Sequence, residues 1–79
     1  MFDLMVVSPQ RVLFDEAVER ILIDGDDNEY ELSSFHAHLI GVLGEGNIII
    51  DNKKMVQVRR GIVKFYENKC MILVEEKKE

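Results

Sequence analysis

Asn47-Ile48-Ile49-Ile50-Asp51-Asn52-Lys53-Lys54-Met55-Val56-Gln57-Val58 is the stretch that decides the fold. Three consecutive isoleucines are stiff at χ1 and favour a pleated strand over a helix. Asp51-Asn52-Lys53-Lys54 supplies turn chemistry, and Met55 to Val58 resumes an apolar pattern alternating with Gln57, so the whole reads as a β-hairpin. Working outward, Gly61 breaks the run and Ile62 to Tyr66 resumes it. Glu67-Asn68-Lys69 makes another turn, and Cys70 to Val74 closes as a continuous apolar strand. In the other direction, Leu4 to Val7 is a short strand ended by Ser8-Pro9, because proline cannot donate to a ladder. Val12 and Phe14 then share one face of a second strand.

Two segments resist this β pattern. In Asp15 to Gly25, Ala17-Val18 and Ile21-Leu22 are four apart, with Asp15 as an N-cap and Gly25 as a stop. The short length and the β-rich Ile21-Leu22-Ile23 favour a strand there. Leu32, Phe35, Leu39 and Val42 also have helical spacing, with Ser33 or Ser34 as cap and Gly44 as stop. Periodicity alone favours a helix for that segment.

Composition bounds the rest. Seventy-nine residues make one domain, near the lower size limit for a self-sufficient core, so a large substrate cavity is not expected. A net charge of −5 repels a phosphate backbone, which makes nucleic acid a poor partner. Cys70 is the single cysteine, so neither an internal disulfide nor a Cys-based zinc cluster staples the chain. No basic n-region opens the sequence, and no apolar run approaches a membrane span. Residues 1–76 form the expected domain, and 77–79 the end of a charged, solvated tail.

Gly25 to Gly46 carries the residues with chemical potential. His36-x-His38 on an extended segment would place two imidazoles on one side, yet no third ligand has a sequence signature, so no metal or cofactor is expected. Ser33-Ser34 precede His36 without a nucleophile-elbow turn. Cys70 begins an apolar strand and is expected as a buried, inert thiol. Asp26, Asp27, Glu29 and Glu31 form a dense acidic loop, more consistent with solvation than with acid/base work. Gly25, Gly44, Gly46 and Gly61 end β-like runs, where positive φ or close packing calls for glycine. Gly44-x-Gly46 is not followed by the helix that a dinucleotide site requires.

In order and spacing these residues resemble the epsilon subunit of the rotary ATP synthase, in its N-terminal β-sandwich domain, over nearly the whole chain. Val6-Val7-Ser8-Pro9 is similar to the family's first strand and turn, Val18 to Gly25 to its next long strand, and Asp27 to Leu32 to its acidic turn. His36-Ala37 with Leu39-Ile40 and Leu43 resembles the His-Ala-Pro-Leu-Leu signature, Gly46 its following turn, and Gly61-Ile62 the end of a Gly-Gly pair. Departures are Ser34-Phe35 for the family's Pro-Gly, His38 for its proline, Asn28 and Glu31 for the glycines of the acidic turn, and Arg60 for one of the glycine pair.

The resemblance implies an all-β, two-sheet sandwich of about ten short strands, with Leu32 to Leu43 a loop feeding a strand. It also implies a non-catalytic rotor subunit that links the gamma subunit to the c-ring. Glu29 matches the position turned toward the c-ring, and Ser8 and His36 match positions on the gamma-facing side. Peripheral attachment at the cytoplasmic face of a bacterial inner membrane, or the equivalent organelle side, follows from that role, as does a monomer when isolated. The family usually continues into a C-terminal helical hairpin; with a natural end at Glu79 the subunit would couple without inhibiting through such a hairpin. The competing classes are a free-standing β-sandwich adaptor and a small metalloprotein built on His36 and His38.

Overall fold

A computed structural model describes residues 1–25 and 29–76. Within them the chain forms eight strands: β1 (Phe2–Val7), β2 (Val12–Val18), β3 (Arg20–Gly25), β4 (Glu29–Ser33), β5 (Leu39–Leu43), β6 (Gly46–Ile50), β7 (Lys54–Tyr66) and β8 (Lys69–Glu76). The all-β sandwich expectation holds: Asp15 to Gly25 falls in β2 and β3, as the β-rich Ile21-Leu22-Ile23 favours, and the segment from Leu32 to Leu43 leaves β4 as a turn and loop that feed β5, as the resemblance implies. Eight strands stand where about ten were expected, because the 13-residue β7 runs through both layers. Its first half pairs with β6, from Ile50↔Lys54 to Gly46↔Val58. Its second half lies between β5 and β8. One layer is thus β2-β1-β8-β7-β5, the other β7-β6-β3-β4.

Gly61 does not break this strand, contrary to the sequence expectation. A β-carbon there would sit 2.5 Å from the Leu73 carbonyl oxygen, so glycine permits a close approach of β8 inside a continuous strand. The change of layer instead happens at a bulge, where Arg59 is the extra residue between the pairs Val58↔Glu76 and Arg60↔Glu75. Side chains alternate with a period of two, so one inserted residue exchanges the faces. Before the bulge Val58 is buried at an even position. After it Val63 and Phe65 are buried at odd ones, while Ile62 and Lys64 face out.

Local turn chemistry sets both hairpins. Asp51 and Asn52 have φ of 50° and 56°, and the turn is closed by Lys53 N–H to the Ile50 carbonyl at 2.9 Å. Glu67 and Asn68, at 50° and 59°, form the two-residue loop between β7 and β8. Two successive residues at positive φ match the right-handed strand twist, and Asn and Asp tolerate that backbone best. Asp51 also fastens the corner between β2 and β3. Its Oδ1 accepts from the N–H groups of Glu19 and Arg20 at 2.9 and 3.0 Å, and its own N–H donates to the Arg20 carbonyl.

Alternation then builds one core. Phe2, Leu4 and Val6 of β1 and Cys70, Ile72 and Val74 of β8 face Ile21 and Ile23 of β3, Leu32 of β4, and Ile48 and Ile50 of β6 in a single buried cluster. Phe2 and Phe65 meet edge-on at 5.3 Å within it. In β2 a bulge at Leu13, between Val6↔Phe14 and Val7↔Val12, undoes the expected common face of Val12 and Phe14. Leu13 and Phe14 lean on the core while Val12 is exposed.

Candidate functional site

An apolar outer surface is the most unusual feature of this small sandwich. Residues of β5, β7, β8 and β1 that point away from the core line up across the strands. Val42 pairs with Ile62, Ile62 with Leu73, and Leu73 with Val7. The adjacent row runs Ile40, Lys64, Met71, Met5. Val42 is 85% exposed and Ile40 74%, with Ile62, Met71 and Leu73 near half. A cross-strand apolar ladder left open to water is a surface shaped for a protein partner.

Two shallow grooves flank the ladder. One, of about 360 Å³, has Pro9, Val42, Ile62 and Leu73 against Arg60 and Glu75. Arg60 Nε donates to Glu75 Oε2 at 2.9 Å, so the charged rim of that groove is internally paired. The other, of about 480 Å³, has Met5 and Met71 in its lining, with Lys64 and Lys69 on one strand pair and Asp15 and Glu16 on the other. An apolar strip with charges of both signs at its rim is the usual anatomy of a protein interface.

The sequence-predicted residues fall at different places around this face. Ser8 is buried, and its hydroxyl is used within the turn: Oγ accepts from the N–H groups of Gln10 and Arg11 and donates to the Arg11 carbonyl. It shapes the turn that sets Pro9 at the groove rim. His36 is exposed, with its Nδ1 2.8 Å from the Ala37 carbonyl and its ring edge-on to Phe65 at 5.7 Å. Glu29 opens β4, opposite Asp24 and exposed. Its acidic neighbours Asp26 and Asp27 lie outside the described residues, and Glu29 and Glu31, expected in an acidic loop, are instead exposed positions of strand β4.

His38 lies over Tyr66 at 4.5 Å, whereas His36 packs on Phe65. Phe65 is buried and Tyr66 exposed, so adjacent β7 positions draw the two imidazoles to different faces. An extended segment placing both on one side is therefore not what forms. Among the described residues no group of three or more His, Cys, Asp or Glu could hold a metal ion. Burial pushes the Cys70 thiol up to about 12, which keeps it protonated and poorly nucleophilic. Among the described residues no helix is long and apolar enough to cross a membrane.

The apolar face was missed at the level of sequence, although a signal was present. Leu39-Ile40-Gly41-Val42-Leu43 and Cys70-Met71-Ile72-Leu73-Val74 are apolar at consecutive positions, and a strand apolar on both faces is one that becomes covered on both.

Comparison with known proteins agrees with this architecture. Residues 1–78 match the family described as ATP synthase, Delta/Epsilon chain, beta-sandwich domain. The ATP synthase epsilon chain of Rhodospirillum rubrum is 33% identical over 75 residues, covering 90% of this chain and 56% of the relative. That of Sulfurovum is 30% identical over 76 residues, covering 91% and 59%. The chain therefore spans little more than half the length of these curated relatives. A chain in the cryo-EM structure of the central stalk and c-ring of Tetrahymena thermophila mitochondrial ATP synthase superposes with a TM-score of 0.79. At 15% identity, and covering 94% of this chain and 63% of that one, it shows a shared fold. On the match of nearly all its length, this protein belongs to the ATP synthase delta/epsilon family, as a β-sandwich domain.

Proposed function

We propose that this chain is a non-catalytic rotor subunit that fastens the gamma subunit of a proton-translocating ATP synthase to its c-ring. The observation that carries the reading is the open apolar ladder of Val42, Ile62, Leu73 and Val7 on a member of this family. That face docks on gamma. Ser8 acts there through the turn that presents Pro9, and His36 through the exposed loop before β5. Glu29 stands apart from the ladder on β4 and meets basic groups of the c-ring loops, where a charge-assisted contact fixes register more than affinity.

The mechanical demand suits the scaffold. A close-packed sandwich transmits torque because its interior cannot deform continuously. The subunit is peripheral, held at the cytoplasmic face of a bacterial inner membrane or its organelle equivalent through the complex, and monomeric when isolated. Pull-down from detergent-solubilised membranes tests the assignment: gamma and c subunits are expected together, with Glu29→Lys weakening capture of the ring. Recovery of neither would return the chain to the free-standing adaptor class.

A further inference from the structure

Phe35 is the most conspicuous local misfit in the chain. It occupies the third position of a turn closed by His36 N–H to the Ser33 carbonyl at 3.2 Å, with φ of 61°. Left-handed backbone at that position favours Gly or Asn, and an aromatic residue there carries strain. Burial of the ring offers no compensation, because Phe35 is 83% exposed. The strained turn is nevertheless held firmly. Phe35 N–H donates to Asn68 Oδ1 at 2.7 Å, while Asn68 Nδ2 donates to the Met1 carbonyl at 3.0 Å. One amide thus fixes the bases of two exposed apolar side chains, Phe35 and Met1.

The surroundings say what sort of partner would use such a ring. From Ser33 to Gly44 the sequence contains no Asp, Glu, Lys or Arg, in a chain that is 32% charged. Depletion of charge around an exposed aromatic is the composition of an interface centre. The loop is also continuous with the docking face: it lies on β7 through His36 on Phe65 and His38 on Tyr66, and it leads directly into Ile40 and Val42 of β5. An anionic lipid surface is disfavoured by the net charge of −5.

We propose that Phe35 is an anchor side chain, pre-positioned by Asn68, that inserts into an apolar socket of the gamma subunit. The proposal rests on the rotor reading above and names a residue within it. Strain retained for a ring that makes no use of it inside the fold is the mark of a contact made outside. A rigid ring on a fixed turn loses little freedom on docking, so its contribution to affinity is large for its size.

The test measures affinity of the full chain for the gamma subunit of the same ATP synthase, alongside thermal unfolding, for Phe35→Ala and Phe35→Gly. Removing the ring is expected to weaken binding about tenfold or more in both variants. Phe35→Ala keeps the strained backbone and its melting temperature. Phe35→Gly relieves the strain and should melt about 4 °C or more higher, giving a variant more stable yet poorer at binding. Binding within about twofold of the parent for both variants overturns the proposal by this same affinity scale. So does a lower melting temperature for Phe35→Gly, which would make the ring structural. Unchanged gamma affinity with lost flotation on phosphatidylglycerol vesicles would reassign the ring to lipid and also overturn it. A parent chain that fails to bind gamma contradicts the rotor reading itself, a result separable from all of these.

Discussion

At the scale of single residues, non-local demands are met by side chains that look ordinary in the sequence. Asp51 is a turn residue by its position, but it also caps the β2–β3 corner through two backbone N–H groups. Asp51→Ala removes both acceptors and is expected to cost about 1–3 kcal/mol, whereas Asp51→Asn keeps an oxygen and tolerates positive φ, so it should cost less. Urea denaturation of the two variants checks the order. Cys70 illustrates a different coupling. Its thiol stands near 9 when unfolded and about 12 in the fold. The unfolded chain therefore loses its proton first as pH rises, so this contribution is intact below about pH 9 and declines from there toward 12. Comparing urea midpoints at about pH 8 and pH 10.5 should show a steeper fall for the parent than for Cys70→Ala, while thiol reagents at neutral pH should not label the native protein. Gly46 shows the same dependence on distant neighbours: it faces Gly25 across the β3–β6 ladder, and a β-carbon would run into the Asp24 carbonyl.

At the scale of elements, what was legible was what is local. The hairpins at Asp51-Asn52 and Glu67-Asn68 announce themselves because turn residues sit between alternating runs. The continuity of β7 was hidden, because Gly61 reports the approach of Leu73 from another strand and not the end of its own. The helical spacing of Leu32, Phe35, Leu39 and Val42 misled for a related reason. Phe35 and Val42 are more than four-fifths exposed while Leu32 is buried, so the four never share a face. Glu29 and His36 could be placed at the surface from resemblance, but the docking ladder needs the register of β5, β7, β8 and β1, which no single strand encodes. The bulge at Arg59 marks the change of layer within β7. Deleting Arg59 removes the extra residue, so alternation runs on from Val58 with Val63 and Phe65 still inward and Ile62 and Lys64 still outward. The expected outcome is a chain that folds but loses the local kink and some stability, read as retained amide dispersion in NMR with a lower urea midpoint; Arg59→Ala keeps the bulge and should lie closer to the parent.

At the scale of the whole molecule, the deciding question is whether the open apolar face binds the gamma subunit, as proposed. Its ladder combines side chains that contribute little to the core with positions where charge is tolerated by the fold, so binding and folding can be separated by mutation. Val42 and Leu73 belong to one row and point to solvent, and lysine at either position can extend into water. The double variant Val42→Lys/Leu73→Lys should therefore unfold close to the parent temperature. Affinity of this double variant for the isolated gamma subunit is the most direct measurement. The account predicts a loss of about a hundredfold or more, from burying two charges in an apolar contact, with Glu29→Lys binding gamma as the parent does. Parent-like affinity in a folded Val42→Lys/Leu73→Lys chain would contradict it.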